Sequence, residues 1–129
     1  SREGEELVRR HEAHLVRRHV EAILEADPDE PLLLYGDFND TKDHAALREI
    51  AGRRGAATAL RALPLEDAVG DRWTHYWSVN DTYSRIDFLF VNRTLSPWVD
   101  RRRSFIFRSP EWKTASDHRP VVATLRIPE

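Results

Sequence analysis

Three places in the chain set acidic or amide side chains at the ends of apolar, strand-like runs. Asp37 and Asn39 follow Leu32-Leu33-Leu34-Tyr35. Residues i and i+2 of an extended chain project to the same side, so these two can address one ligand. Asp87 interrupts the run Ile86-Asp87-Phe88-Leu89-Phe90, where a carboxylate is costly to bury unless it is paired, hydrogen-bonded or bound to metal. Asp117 and His118 lie in a turn just before Pro120-Val121-Val122-Ala123-Thr124-Leu125. Each place also admits a plain structural reading: a simple turn at Gly36-Asp37, an ion pair of Asp87 with Arg85, an ordinary loop at Asp117-His118. Taken together, their donors are hard oxygens, which suit Mg²⁺ (or Mn²⁺) that keeps several of its waters. A carboxylate beside a histidine raises its pKa and sets its tautomer.

The elements that would position these residues are legible from periodicity. Val8, Leu15, Val16, Val20, Ile23 and Leu24 recur at helical spacings and predict an amphipathic helix over residues 5–26. Asp27-Pro28-Asp29-Glu30-Pro31 stops it, because the residue before a proline is pushed out of the α region. Residues 31–38 read as a strand buried on both faces. Asp40 or Thr41 is placed to cap a second helix over residues 43–54 that ends at Gly55. Residues 56–70 read as a short helix or turn. Beyond them, WTHYW, YSRIDFLFVN, SFIFR and RPVVATLRI are aromatic and β-branched runs parted by turn-like segments. The order predicts an α/β (α+β) fold in which two main helices support several strands.

Composition narrows the field. The 129 residues suit one domain of ordinary size. Lys and Arg number 20 against 22 Asp and Glu, a balance that argues against a general polyanion binder while allowing a local basic patch. With no Cys, disulfides, thiolate metal sites and cysteine nucleophiles are excluded. No apolar run reaches the length of a membrane span. Arg101-Arg102-Arg103 reads as a solvated charge run that can also steer an anion. His75 and Trp77, in the aromatic run, are candidates for substrate contact; Trp98 and Trp112 read as loop aromatics at a core edge.

The segments GDFND (36–40), SRIDFLFV (84–91) and SDHRPVVATL (116–125) resemble, in order and separation, the endonuclease/exonuclease/phosphatase family, whose fold is like that of deoxyribonuclease I. The resemblance extends from about Val8 onward. It implies a divalent-metal-dependent phosphoester hydrolase, a phosphodiesterase, nuclease or phosphatase, acting by attack of activated water at phosphorus. In that scheme Asp37 orients or deprotonates the water and touches the metal, and Asn39 and His118 hold phosphoryl oxygens. Asp117 belongs to the metal centre, and Asp87 orients His118. The alternative is a non-catalytic domain of the same fold that binds a partner or a phosphorylated ligand.

The family is normally about twice this long. Its first half supplies an Asn, a metal-binding Glu and a His that have no counterpart here. Residues 1–129 are therefore expected to be the C-terminal half of a four-layer sandwich, inactive alone. The partners this implies are a phosphoester substrate and either the missing half or a second copy of the chain.

Overall fold

The computed structural model describes residues 2–38, 44–111 and 116–129, without the side chains of residues 2, 3, 6 and 44. Asn39, the expected caps Asp40 and Thr41, and Trp112 lie outside the described residues. The elements are α1 (Arg2–Ala26), β1 (Leu33–Asp37), α2 (His44–Ala51), β2 (Leu60–Ala62), β3 (His75–Trp77), β4 (Thr82–Ser84), β5 (Asp87–Asn92), β6 (Phe105–Ile106) and β7 (Val121–Val122). Short 3-10 turns at Ser96–Trp98 and Arg101–Arg103 complete them. The strands form a three-stranded sheet of order β1-β5-β2 and two hairpin-like pairs, β3-β4 and β6-β7. This is an α+β fold.

The chain divides into two compact units, and β1 and β5 each contribute residues to both. The first unit comprises Ser1–Leu34, Lys42–Ala62 and Phe90–Pro97. In it α1 packs against α2. The buried stripe of α1 is Ala13, Arg17, Val20 and Leu24, whereas Val8 and Leu15, expected on the apolar face, are exposed. A guanidinium takes the place of an aliphatic side chain in that stripe because the end of α2 needs donors. Arg17 donates to the carbonyls of Ile50 and Ala51 at 3.1 and 3.4 Å, and to the carbonyl and hydroxyl of Thr58 at 2.7 Å each. The last carbonyls of a helix have no partner within it, and a cation there also meets the negative end of the helix dipole. The helix stops three residues earlier than the sequence suggested, at Gly52 with φ +74°, where the left-handed turn costs glycine nothing.

Residues 60–62, expected within a helix or turn, instead pair antiparallel with β5, Leu60 opposite Asn92 and Ala62 opposite Phe90. Tertiary pairing overrides the helix propensity of an Ala- and Leu-rich stretch. Asn92, 1% exposed, fastens this end of the unit. Its Oδ1 accepts from the backbone N–H groups of Leu32 and Leu95, and its Nδ2 donates to the Glu30 carbonyl.

The second unit comprises Tyr35–Thr41, Leu63–Leu89 and Trp98–Glu129. Its apolar core includes Leu63, Leu65, Ile86, Leu89 and Ile106. β3 and β4 pair antiparallel, His75 opposite Ser84, around a turn in which Asp81 takes φ +48°. β6 pairs with β7, and Val99 bridges Leu125. The final strand is thus far shorter than the run 119–127 suggested. β1 also departs from expectation: Leu33, Tyr35 and Asp37 alternate as exposed residues with half-buried Leu34 and Gly36, so one face of this strand is open.

Candidate active site

Asp37, Asp87, Asp117, His118 and His75 all belong to the second unit. Asp37 ends β1, and the next residue is held beside the start of β5: the Phe38 N–H donates to the Ile86 carbonyl at 2.7 Å, and the Phe38 and Phe88 rings meet edge-on at 5.7 Å. Asp87 opens β5 and is 3% exposed. Across from it, residues 117–119 run beside 74–76. The Tyr76 N–H donates to the Asp117 carbonyl at 3.0 Å, the Arg119 N–H to the Thr74 carbonyl at 2.6 Å, and His75 bridges His118.

His118 is the centre of the cluster. Its Nδ1 lies 2.9 Å from Oδ2 of Asp87, hydrogen-bond distance for a charge-assisted contact. Its Nε2 faces two more carboxylates, Asp37 Oδ2 at 3.7 Å and Asp117 Oδ1 at 4.0 Å. These are charge contacts rather than hydrogen bonds. Burial alone would lower the pKa of His118. The hydrogen bond and charge of Asp87, reinforced by Asp37 and Asp117, outweigh it and raise the pKa above its ordinary value. With Nδ1–H directed at Asp87, Nε2 is the atom left to act on the open side.

His75 stands next to this pair, its ring centroid 4.8 Å from that of His118 and its Nε2 3.4 Å from Asp117 Oδ2. Tyr35 donates a long hydrogen bond of 3.5 Å to Asp87 Oδ1. Burial and the charge of Asp87 push its phenol up from the ordinary value. Arg85, whose sequence neighbour Asp87 offered an ion pair, instead donates to the Leu63 carbonyl at 2.7 Å and lies 4.8 Å over the Phe88 ring. Trp77 is 51% exposed.

Among the described residues, two combinations of side chains bring donor atoms within 4.8 Å of one another: His75, Asp117 and His118; and Asp37, Asp87 and His118. Asp87 is a poor metal ligand here, since it is buried and already engaged by His118. Asp37 and Asp117 are the accessible carboxylates, 38% and 68% exposed. Their donor chemistry fits a hard divalent cation that retains part of its water shell.

Three residues essential to this geometry were not assigned a structural part from sequence. Thr74 is completely buried, and its Oγ1 accepts from the backbone N–H groups of Ile86 and Asp87. Arg119, next to His118, is buried, donates to Asp67 at 2.9 Å and to the Trp73 carbonyl, and lies 3.6 Å over the Trp73 ring. Asp67 also accepts from Arg108 and from the N–H groups of Val69 and Asp71, in a turn completed by Gly70 at φ +89°. The turn had a readable signal in Asp67-Ala68-Val69-Gly70; its pairing with Arg119 had none.

The profile of the Endonuclease/Exonuclease/phosphatase family matches residues 5–118. No curated protein and no solved structure matches the chain. Members of the matched family are in general metal-dependent phosphoester hydrolases. The match takes in most of the sequence, including the segments that bear Asp37, Asp87 and His118, and the chain belongs to the endonuclease/exonuclease/phosphatase family.

Proposed function

We propose that the second unit supplies part of a phosphoester-hydrolysing site in which His118, oriented by Asp87, donates from Nε2 to a phosphoryl oxygen. The observation that carries this reading is the arrangement around one imidazole: a buried carboxylate 2.9 Å from Nδ1 and two accessible carboxylates near Nε2. Phosphoesters resist hydrolysis because their anionic oxygens repel a nucleophile, so a site needs positive charge at those oxygens and a base for water. A raised His118 pKa favours the imidazolium that meets the first need. Asp37, exposed at the end of β1, is the base or orienting group for water. Asp117 and Asp37 would hold Mg²⁺ or Mn²⁺, which supplies further positive charge at phosphorus. Asn39 is assigned the remaining phosphoryl contact from its place in the GDFND segment, and His75 a secondary one.

The test is hydrolysis of a panel of phosphomonoesters and phosphodiesters by the intact protein with Mg²⁺, beside its His118→Gln variant. Turnover of at least one class, lost in the variant, is expected. A folded protein that binds phosphorylated ligands without turning any over would establish the non-catalytic alternative.

The exposed apolar side chains support a covering partner, either the rest of the fold or a second copy. In the first unit these include Leu7, Val8, Leu15 and Leu33; in the second, Tyr35, Phe105, Phe107 and Ile127 among others. β1 is also an edge of its sheet among the described residues, and open edges invite pairing.

A further inference from the structure

Thr74 is the residue through which the backbone segments bearing Asp87 and His118 are joined. It is 0% exposed. Its Oγ1 accepts from the N–H groups of Ile86 and Asp87 at 3.0 and 3.1 Å. Its carbonyl accepts from the N–H of Arg119 at 2.6 Å, and its own N–H donates to the Ser84 carbonyl at 2.9 Å. One side therefore fixes the start of β5 and the other fixes the residue after His118.

The chemistry of the residue matters as much as its place. Ile86 and Asp87 lie where the chain passes from β4 into β5, outside the β3-β4 register, which ends at the pair His75 and Ser84. Their N–H groups donate to the Thr74 hydroxyl, a side-chain acceptor standing beyond the end of that ladder. A buried N–H without an acceptor is disfavoured, so the hydroxyl dictates where this backbone can settle. The Asp87 carboxylate sits one side chain away from that anchor and only 2.9 Å from Nδ1 of His118. A contact so short tolerates little displacement of either backbone.

We propose that Thr74 is a positioning residue for catalysis: by accepting the Asp87 N–H and the Arg119 N–H it sets the Asp87–His118 distance. This inference rests on the phosphoester-hydrolysis reading above. It goes beyond that reading by assigning the alignment of the pair to a hydroxyl that does not face the substrate.

The experiment is a double-variant cycle in the intact protein, with Thr74→Val, Thr74→Ser, Asp87→Asn and Thr74→Val/Asp87→Asn. Thr74→Val removes the acceptor. The expected result is a fall in kcat of about a hundredfold, typical of misalignment by an ångström, with KM little changed. Thr74→Ser, which keeps the oxygen, returns kcat close to wild type. In the Asp87→Asn background Thr74→Val should add little, because residues acting through one interaction are not additive. Ring-nitrogen NMR of His118 should show a changed tautomer balance in Thr74→Val. Should Thr74→Val fail to fold, Thr74→Cys, a weak acceptor of similar size, carries the same cycle. Wild-type kcat and unchanged His118 shifts in the folded variant, with Asp87→Asn slow, would overturn this inference alone. Penalties that multiply in the double variant would also overturn it, marking Thr74 as merely structural. Full activity of Asp87→Asn would instead remove the hydrolysis reading, and this inference with it.

Discussion

Arg119 and Asp67, 52 positions apart in sequence, form an ion pair at 2.9 Å whose two side chains are completely buried. Burial by itself raises the pKa of Asp67. Its bonds from Arg119, the N–H groups of Asp71 and Val69, and Arg108 more than offset that and hold the carboxyl well below the usual carboxylate range. Removing one partner of such a pair strands the other charge. Asp67→Asn should therefore lower folding stability by about 3–5 kcal/mol near neutral pH, measured by chemical denaturation.

The same pair predicts the sign of an acid effect. A carboxyl whose pKa is depressed on folding contributes stability above its unfolded value and loses it as pH falls toward its folded value. The stability gap between wild type and Asp67→Asn should be largest near neutrality and shrink below about pH 4, near the ordinary carboxyl pKa. A gap that widens on acidification would contradict the assignment.

Gly52 closes α2 at φ +74°, and a Cβ there would collide with the Arg17 guanidinium. Gly52→Ala should cost about 1–3 kcal/mol from backbone strain alone. It should also disturb the bonds from Arg17 to Ile50 and Thr58. A thermal melt reads the loss, and an unchanged melt would show that the turn relaxes freely.

Activity of the intact protein should require Mg²⁺ or Mn²⁺ and disappear with excess chelator, since the accessible donors Asp37 and Asp117 are hard carboxylates. Residues 1–129 alone should bind Mg²⁺ only weakly in calorimetry. Full turnover in chelator would remove the metal from the mechanism.

Residues 1–129 alone should self-associate in gel filtration with light scattering, because Leu7, Val8, Leu15 and Leu33 stand exposed in one unit and Phe105, Phe107 and Ile127 in the other. A monodisperse monomer at all concentrations would count against a missing covering partner.

Much of the second unit was legible because its chemistry sits in local patterns. Asp37 after an apolar run, Asp87 inside one and Asp117-His118 before one are visible without coordinates, and the three carboxylates all lie around His118. Asn39 lies outside the described residues. The parts that escaped depend on distant partners. Arg17 looks like one more charged helix residue until α2 and Thr58 deliver carbonyls to it. β2 looks helical until β5 offers it a ladder. Thr74 carries no signal of its own, since the N–H groups it satisfies lie 12 and 13 residues away. The double-sided burial read into Leu33–Asp37 failed for a similar reason: apolar composition reports what a strand can be covered by, not what covers it.

Turnover of the Asp87→Asn variant of the intact protein, measured on its best phosphoester substrate, tests the role given to His118 most directly. Asparagine keeps the shape but loses the charge that fixes the Nδ1–H tautomer. The expected result is a loss of about 10²–10⁴ in kcat, the range of a displaced general acid or base, in a protein that still melts cooperatively. A folded Asp87→Asn variant that turns over at the wild-type rate would contradict it.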